Sequence, residues 1–412
     1  MFLPSSCDNK KDVHLHNVIP VASTVGNYNI LKISDFASEI KYIPLETNDS
    51  VLISPVILQV ICENEKILIL DVTSANKNNC YLFDSNGKFC CRIGQYGQGP
   101  NDYLQINNVS MHDNFIFLMA WHKILIYDTN GHLIENINLH SNEIPDEYRV
   151  SNIRSIIPLK KDAYVVNVVT SQGDYPTAFL FKTNLSSVET IKEYPSSIKL
   201  DRMGGGFNSI ELGSMYRFKD HVRIYKPVND TIFSISQNTE MKEVFIFELG
   251  QYKPALSYFE SKDMGDVLQW IKQSNNLYNK FIFVKTIYES NNHLFIKFNF
   301  GNHAPEPFEK SWLGQQFNST EVCGLFNKFT GELTLMKQPV KGKLGFRNDL
   351  DNGPVIFPNY LSSKNELVTF ITVEDFLDYY DKIEKPTPQI TEIAKKINFD
   401  DNQIVIVAKL KE

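Results

Sequence analysis

Apolar positions in this chain come in short runs of β-branched and aromatic residues cut by polar turns. Examples are Lys66-Ile-Leu-Ile-Leu70, Phe115-Ile-Phe-Leu-Met119 and Ala163-Tyr-Val-Val-Asn-Val-Val169. Runs of this length and composition predict strands rather than helices. Two of them end in the same device. Tyr81-Leu-Phe-Asp-Ser-Asn-Gly-Lys-Phe89 and Ile126-Tyr-Asp-Thr-Asn-Gly-His-Leu133 each predict a strand, an Asp-x-Asn-Gly turn and a second strand. Asn-Gly supplies the positive φ angles of a tight hairpin turn, so chemistry specifies the turn as well as polarity. Gly87 and Gly131 lie 44 residues apart, close to the length of one four-stranded propeller blade.

Followed along the chain, the pattern predicts an all-β fold, a six-bladed β-propeller over residues 30–412. Five blades fall at about 56–94, 107–139, 152–194, 214–249 and 281–337. The sixth is split. Segments 354–360, 366–371 and 403–408 give three strands, and Ile40-Lys-Tyr-Ile-Pro-Leu45 should supply the fourth. Closing a ring with strands from both ends of the chain protects an edge that would otherwise aggregate. Pro44 also belongs on an outer edge, because it has no N–H for a ladder. Two helical inserts, about 255–275 and 374–397, carry apolar residues at helical spacing and should pack against the propeller.

Residues 1–29 read as a tail and polar tether. Met-Phe-Leu-Pro-Ser-Ser-Cys7-Asp places small residues before a cysteine, as at the end of a lipoprotein signal, so Cys7 is the expected lipidation site. A net charge of −7 argues against a nucleic-acid surface. The six cysteines include no Cys-x-x-Cys pair; Cys62, Cys80, Cys90, Cys91 and Cys323 read as small apolar strand residues, although Cys90 and Cys91 cannot both face one core. No metal or cofactor is expected, and the sequence offers no Gly-x-Ser-x-Gly elbow or His-Glu-x-x-His pair.

Ile93-Gly-Gln-Tyr-Gly-Gln-Gly-Pro-Asn-Asp-Tyr103 resembles the Gly-x-Gly-Pro-Gly-Glu-Tyr loop of the six-bladed β-propeller lipoproteins of Bacteroides-type bacteria, relatives of the NHL-repeat propellers. Pro44-Leu-Glu46, Asn229-Asp-Thr-Ile-Phe233 and the closing run Asp401–Leu410 are similar as well. Asn101-Asp102 stand where that family usually has Gly-Glu. The resemblance implies the propeller fold and a periplasmic or cell-surface location, and it carries no activity with it.

In a propeller the long connections here, between second and third strands and between successive blades, all build up one face. Extended loops on a rigid scaffold are the usual address for function. The candidate binding residues on that face are Trp121, His122, Tyr96, Asp102, Tyr103, Arg149, Arg154, Arg202, His303, Trp312 and Arg347. Aromatic and arginine side chains there could stack on and grip a sugar or a carboxylate. The competing reading makes Tyr96, Tyr103 and Trp121 packing anchors. The expected function is a non-enzymatic cell-envelope propeller that binds a glycan, peptide or envelope protein, touching the membrane only through its lipid anchor. The alternative is a carbohydrate- or lactone-acting hydrolase or lyase with its active site in the channel.

Overall fold

The computed structural model describes residues 16–74, 77–120, 123–138, 152–160, 163–169, 178–182, 188–192, 214–225, 230–238, 240–254, 280–312 and 315–411. They form an all-β propeller. Strands Ile57–Glu63, Lys66–Ser74, Lys77–Asp84 and Phe89–Arg92 make the first sheet, antiparallel throughout. Asn108–His112, Phe115–Ala120, Lys123–Asp128 and Leu133–Asn138 make the second. Asn152–Lys160 to Val188–Lys192 make the third and Ser214–Phe218 to Met241–Phe247 the fourth. Phe283–Glu289, His293–Asn299, Glu321–Asn327 and Leu333–Met336 make the fifth. Tyr360–Leu361, Glu366–Ile371 and Ile404–Leu410 are joined by Ala37–Pro44 in the sixth. A separate hairpin, Phe308–Trp312 with Gln315–Ser319, rises from the fifth sheet where the sequence suggests only a long link. The first strand of each sheet touches that of the next, and the sixth returns to the first.

The Asn-Gly turns are built as their residues dictate. Asp84 Oδ1 accepts from Asn86 N (2.8 Å) and Lys88 N (3.0 Å), and Asp128 Oδ1 accepts from Asn130 N (2.9 Å) and His132 N (2.8 Å). Gly87 (φ +84°) and Gly131 (φ +85°) occupy the left-handed region. Each also touches the outer strand of the preceding sheet. A Cβ on Gly87 would lie 2.2 Å from Pro44 O, and one on Gly131 would lie 2.8 Å from Cys91 Sγ. Glycine at these positions therefore serves turn geometry and close approach together.

The closing strand pairs in the expected register, Ile404 opposite Pro44 through Ala408 opposite Ile40, and lies at the outer edge of its sheet. The tether boundary needs correction. Val18–Ile19 add a parallel strand to the fourth sheet and Tyr28–Asn29 add one to the fifth. Ile19, Val21 and Ile33 are fully buried. From residue 16 the chain is thus a belt on the rim, and of the expected tether residues 1–15 lie outside the described structure. The apolar content of this belt is too sparse to show periodicity, which is why the sequence suggests a linker.

The helical insert expected at 374–397 is two short helices, Val373–Tyr380 and Pro388–Lys396, divided at the stretch that holds Pro386. Thr372 and Thr387 cap them, accepting from Asp375 N and Ile390 N. Phe376, Ile390 and Ile393 bury their apolar stripes against the sixth sheet. The insert expected at 255–275 lies outside the described residues. The five described cysteines form no disulfide, and Cys90 is exposed, since its strand neighbour Cys91 takes the inward face.

Truncation separates belt from closure. Removing residues 1–15 should leave the thermal midpoint unchanged. Removing 1–27 loses the burial of Ile19 and Val21, each about 1.5–3 kcal/mol. Removing 1–46 also strips the outer strand of the sixth sheet and should give the lowest midpoint of the three by calorimetry.

Candidate functional site

The first strands of the sheets enclose a central cavity of about 710 Å³, within the range that holds a small ligand. It runs the length of those strands, from Leu58, Asn108 and Ser214 at one end to the turn residues Asn64, Asp113 and Asp220 at the other. These inner turns need the left-handed region, and Asn64 (φ 49°), Glu65 (φ 59°), Asp113 (φ 52°) and Lys219 (φ 54°) adopt it. They bring polar side chains to the mouth.

Neighbouring inner strands share no backbone ladder, so side chains tie them. Gln59 Oε1 accepts from Val109 N of the second sheet (2.8 Å). Asn108 Oδ1 accepts from Ile156 N of the third (3.3 Å). Arg217 Nη1 of the fourth donates back to Pro158 O (2.5 Å). Tyr216 Oη donates to Glu289 Oε2 of the fifth (3.1 Å). Asn291 N donates to Asn365 Oδ1 of the sixth (3.0 Å). Tyr360 Oη (2.8 Å) and Ser363 N (2.7 Å) donate to Glu63 Oε1, which returns the circuit to the first sheet.

The strongest junction is a buried ionic cluster. Glu289 accepts from Arg223 Nε (2.9 Å), Lys328 Nζ (2.6 Å) and Tyr216 Oη. Lys328 also donates to Ser290 O (2.7 Å) and sits 4.2 Å from the centre of the Phe218 ring. Burial lowers the Lys328 pKa, and Glu289 opposes that shift. Burial raises the Tyr216 hydroxyl well above its ordinary value, with the Glu289 charge adding to the effect. His112, at the mouth, is held below its usual pKa by burial and then by the Arg217 charge.

The cavity wall is asymmetric. The fourth, fifth and sixth sheets present Tyr216, Phe218, Tyr288, Tyr360 and Phe370. The first three present Gln59, Glu63, Asn108, Ser110, His112 and Ser155. Among the described residues no group of three His, Cys, Asp or Glu side chains is arranged to hold a metal ion.

The residues suggested by sequence are not gathered here; none that is described lines this cavity. Trp121, His122, Arg149 and Arg202 lie outside the described residues, as does Cys7. Arg154 falls in strand Asn152–Lys160, and Trp312 ends strand Phe308–Trp312. Tyr96 is 41% exposed, with Lys77 Nζ 5.3 Å from its ring centre. Tyr103 is fully buried, between Gly94 and Arg92, and so is a packing anchor. Asp102 closes its own loop. Its Oδ2 accepts from Gly99 N (2.9 Å), and a Cβ on Gly97 or Gly99 would lie 2.3 or 2.7 Å from that oxygen. The Gly-Pro loop is therefore a folded brace, fixed further by Lys123 Nζ on Pro100 O (2.9 Å). His303 packs edge-on against Tyr252 with ring centres 4.8 Å apart. The backbone of Arg347 holds the belt through Leu31 O and Ile33 N (both 2.9 Å).

A family model described as "Domain of unknown function (DUF4934)" matches residues 16–409. Among solved structures, a Bacteroides fragilis protein assigned as exported is 18% identical with a TM-score of 0.63, covering 96% of this chain and 100% of its own. A member of the DUF4221 family from Bacteroides vulgatus is 13% identical with a TM-score of 0.51, covering 93% and 99%. These likenesses show the fold. No curated protein matches the chain.

Two outcomes test the polar junctions. Glu289→Ala leaves Arg223 and Lys328 buried without their counter-charge, so denaturant melts should show a loss of about 3–5 kcal/mol. His293, near Lys328, has its pKa lowered from 6.5 to about 4 by burial and then by the Lys328 charge. The fold therefore prefers the neutral ring. That contribution is complete above pH 6.5 and is lost as pH falls through about 4. His293→Phe should flatten the acid limb of the midpoint-against-pH curve by about 2–3 kcal/mol.

Proposed function

Because the chain belongs to the DUF4934 family of domains of unknown function, its role has to come from its own geometry, and we propose an exported, non-enzymatic, six-bladed propeller that takes a ligand in its central cavity. The observation that carries this reading is the wall itself, with aromatic rings confined to three of the sheets and amide and hydroxyl groups contributed by all six. Such a wall can enclose a ligand that is apolar on one side and polar on the other. The six sheets of four or five strands, with inner strands touching in a closed circuit, support the blade count. The likeness to a protein assigned as exported supports the location.

The hydrolase or lyase reading has less support. Glu63 accepts from Tyr360 Oη, Ser363 N and Ser363 Oγ, and Glu289 is held by two cations and a tyrosine. Carboxylates gripped by several donors at once are fixed in position, which suits a staple better than a group that must move a proton.

Lipidation at Cys7 remains part of the proposal. The described residues begin at His16, beside Gly331 on the rim. The intervening segment reaches at most about 30 Å, so an anchored protein would stay close to its membrane. Mass spectrometry of the N-terminus from the native host should show an acylated Cys7; an unmodified thiol would remove the anchor.

The cavity competes with the long-loop face as the place of binding. Ser110→Trp fills the cavity, whereas Tyr96→Ala alters the Gly-Pro loop, where Tyr96 is exposed. Against a panel of soluble glycans and peptides, the cavity reading expects loss of binding in the filled variant alone. Loss only in the Tyr96 variant would return the site to the long loops.

A further inference from the structure

Resting on the cavity reading, we infer that the ligand is a neutral carbohydrate, a short oligosaccharide with one sugar face against the tyrosine wall. Three observations converge on this class. The first is charge. Glu63, Asp113, Asp220 and Glu289 stand in the wall, and Arg217 and Lys219 stand with them. Arg223 and Lys328 lie behind Glu289 in direct contact. Acids and bases balance, and burial holds the His112 pKa below its usual value. Asp113, Lys219 and Asp220 stand at the mouth. Deeper in, an anionic ligand would need a cation with little other work, but Arg223 and Lys328 serve Glu289 and Arg217 serves Pro158 O. A cationic ligand would need a carboxylate there, and Glu63 and Glu289 are already satisfied by several donors each.

The second is the backbone. An extended peptide binds by pairing with an open strand edge. Here Val109 N and Ile156 N, on the inner strands of the second and third sheets, are taken by Gln59 and Asn108. On those two strands a peptide would have to displace side chains of the wall to pair.

The third is shape chemistry. A pyranose carries C–H groups on one face and hydroxyls around its rim. It gains by laying that face on aromatic rings while its rim meets donors and acceptors. Tyr216, Tyr288 and Tyr360 come from three successive sheets. Polar groups for the rim come from Gln59, Asn108 and Ser155 on the first three sheets and from Thr286, Asn359 and Ser362 on the others, whereas the Ser110 hydroxyl is buried without a protein partner. Tyr288 is the informative residue, because the hydroxyls of Tyr216 and Tyr360 are committed to Glu289 and Glu63.

The test is isothermal titration of the full chain with four probe sets: neutral, acidic and amino oligosaccharides, and neutral peptides. The variants are Tyr288→Ala, Tyr288→Phe and two cavity fillings, Ser110→Trp and Ser155→Phe, each checked for a cooperative melt. Neutral oligosaccharides should bind with an affinity insensitive to salt. Tyr288→Ala should weaken them about tenfold or more, equivalent to about 1.4 kcal/mol, and Tyr288→Phe should keep the ring and the affinity. A folded cavity filling should abolish binding. If acidic or amino sugars or peptides bind instead and the fillings abolish it, the carbohydrate class proposed here is wrong while the cavity stands. If neutral sugars bind and neither filling affects them, the cavity itself is the wrong site. If no probe binds, both fail.

Discussion

Between each pair of neighbouring sheets, a hydrogen bond near the axis joins a group of one sheet to a side chain of the other. That constraint follows from the architecture. Inner strands of adjacent sheets touch but are not laddered together, so their inward backbone and side-chain groups need other partners. Gln59, Asn108, Arg217, Glu289, Asn365 and Glu63 meet the need, one at each of six junctions. Each such bond contributes only about 1 kcal/mol net, but leaving its partner buried and unpaired costs more than the bond supplies. The ring is therefore most stable when every junction is made. The last sheet can be completed only when Ala37–Pro44 joins Ile404–Leu410.

The same side chains decide what the cavity offers. Most of its charge is committed to holding sheets together, and the surface that remains for a ligand carries aromatic rings on one side and amide or hydroxyl groups all round. Structure and recognition are thus served by the same strands. On Asn108–His112, for example, all five residues border the cavity, while Val109 and Met111 also enter the packing between sheets. A substitution at an axial residue would change binding and junction strength together.

Much of the fold was legible because its turns are chemically explicit. Asp84-Ser-Asn-Gly and Asp128-Thr-Asn-Gly each specify a hairpin, and Pro44 marks an edge strand. Together they yield the strand pattern and the closing register. The belt at 16–36 was not legible, because its strands at Val18–Ile19 and Tyr28–Asn29 are two residues long and carry no period. The residues that line the channel are not legible for a different reason. Exposed-looking aromatic and arginine residues favour the long loops, yet Tyr103 and Asp102 brace their own loop. Burial of a loop tyrosine leaves no trace in one sequence. A usable signal did exist in the two-residue turns Asn64-Glu65, Asp113-Asn114 and Lys219-Asp220, which mark where each first strand ends. Counting back by twos from those turns reaches the axial residues Glu63, His112 and Phe218 and their neighbours.

The central claim is that the ring is one cooperative unit closed by its N-terminal strand. Native-state hydrogen exchange on the intact chain measures this directly. Amides of Ala37–Ile43 that bond to Ile404–Leu410 should exchange as slowly as the laddered amides of Ile404–Leu410 and of the first-sheet strand Lys66–Ser74, all opening only with global unfolding. Rapid exchange of 37–43 while 404–410 stays protected by its other neighbour would contradict the account.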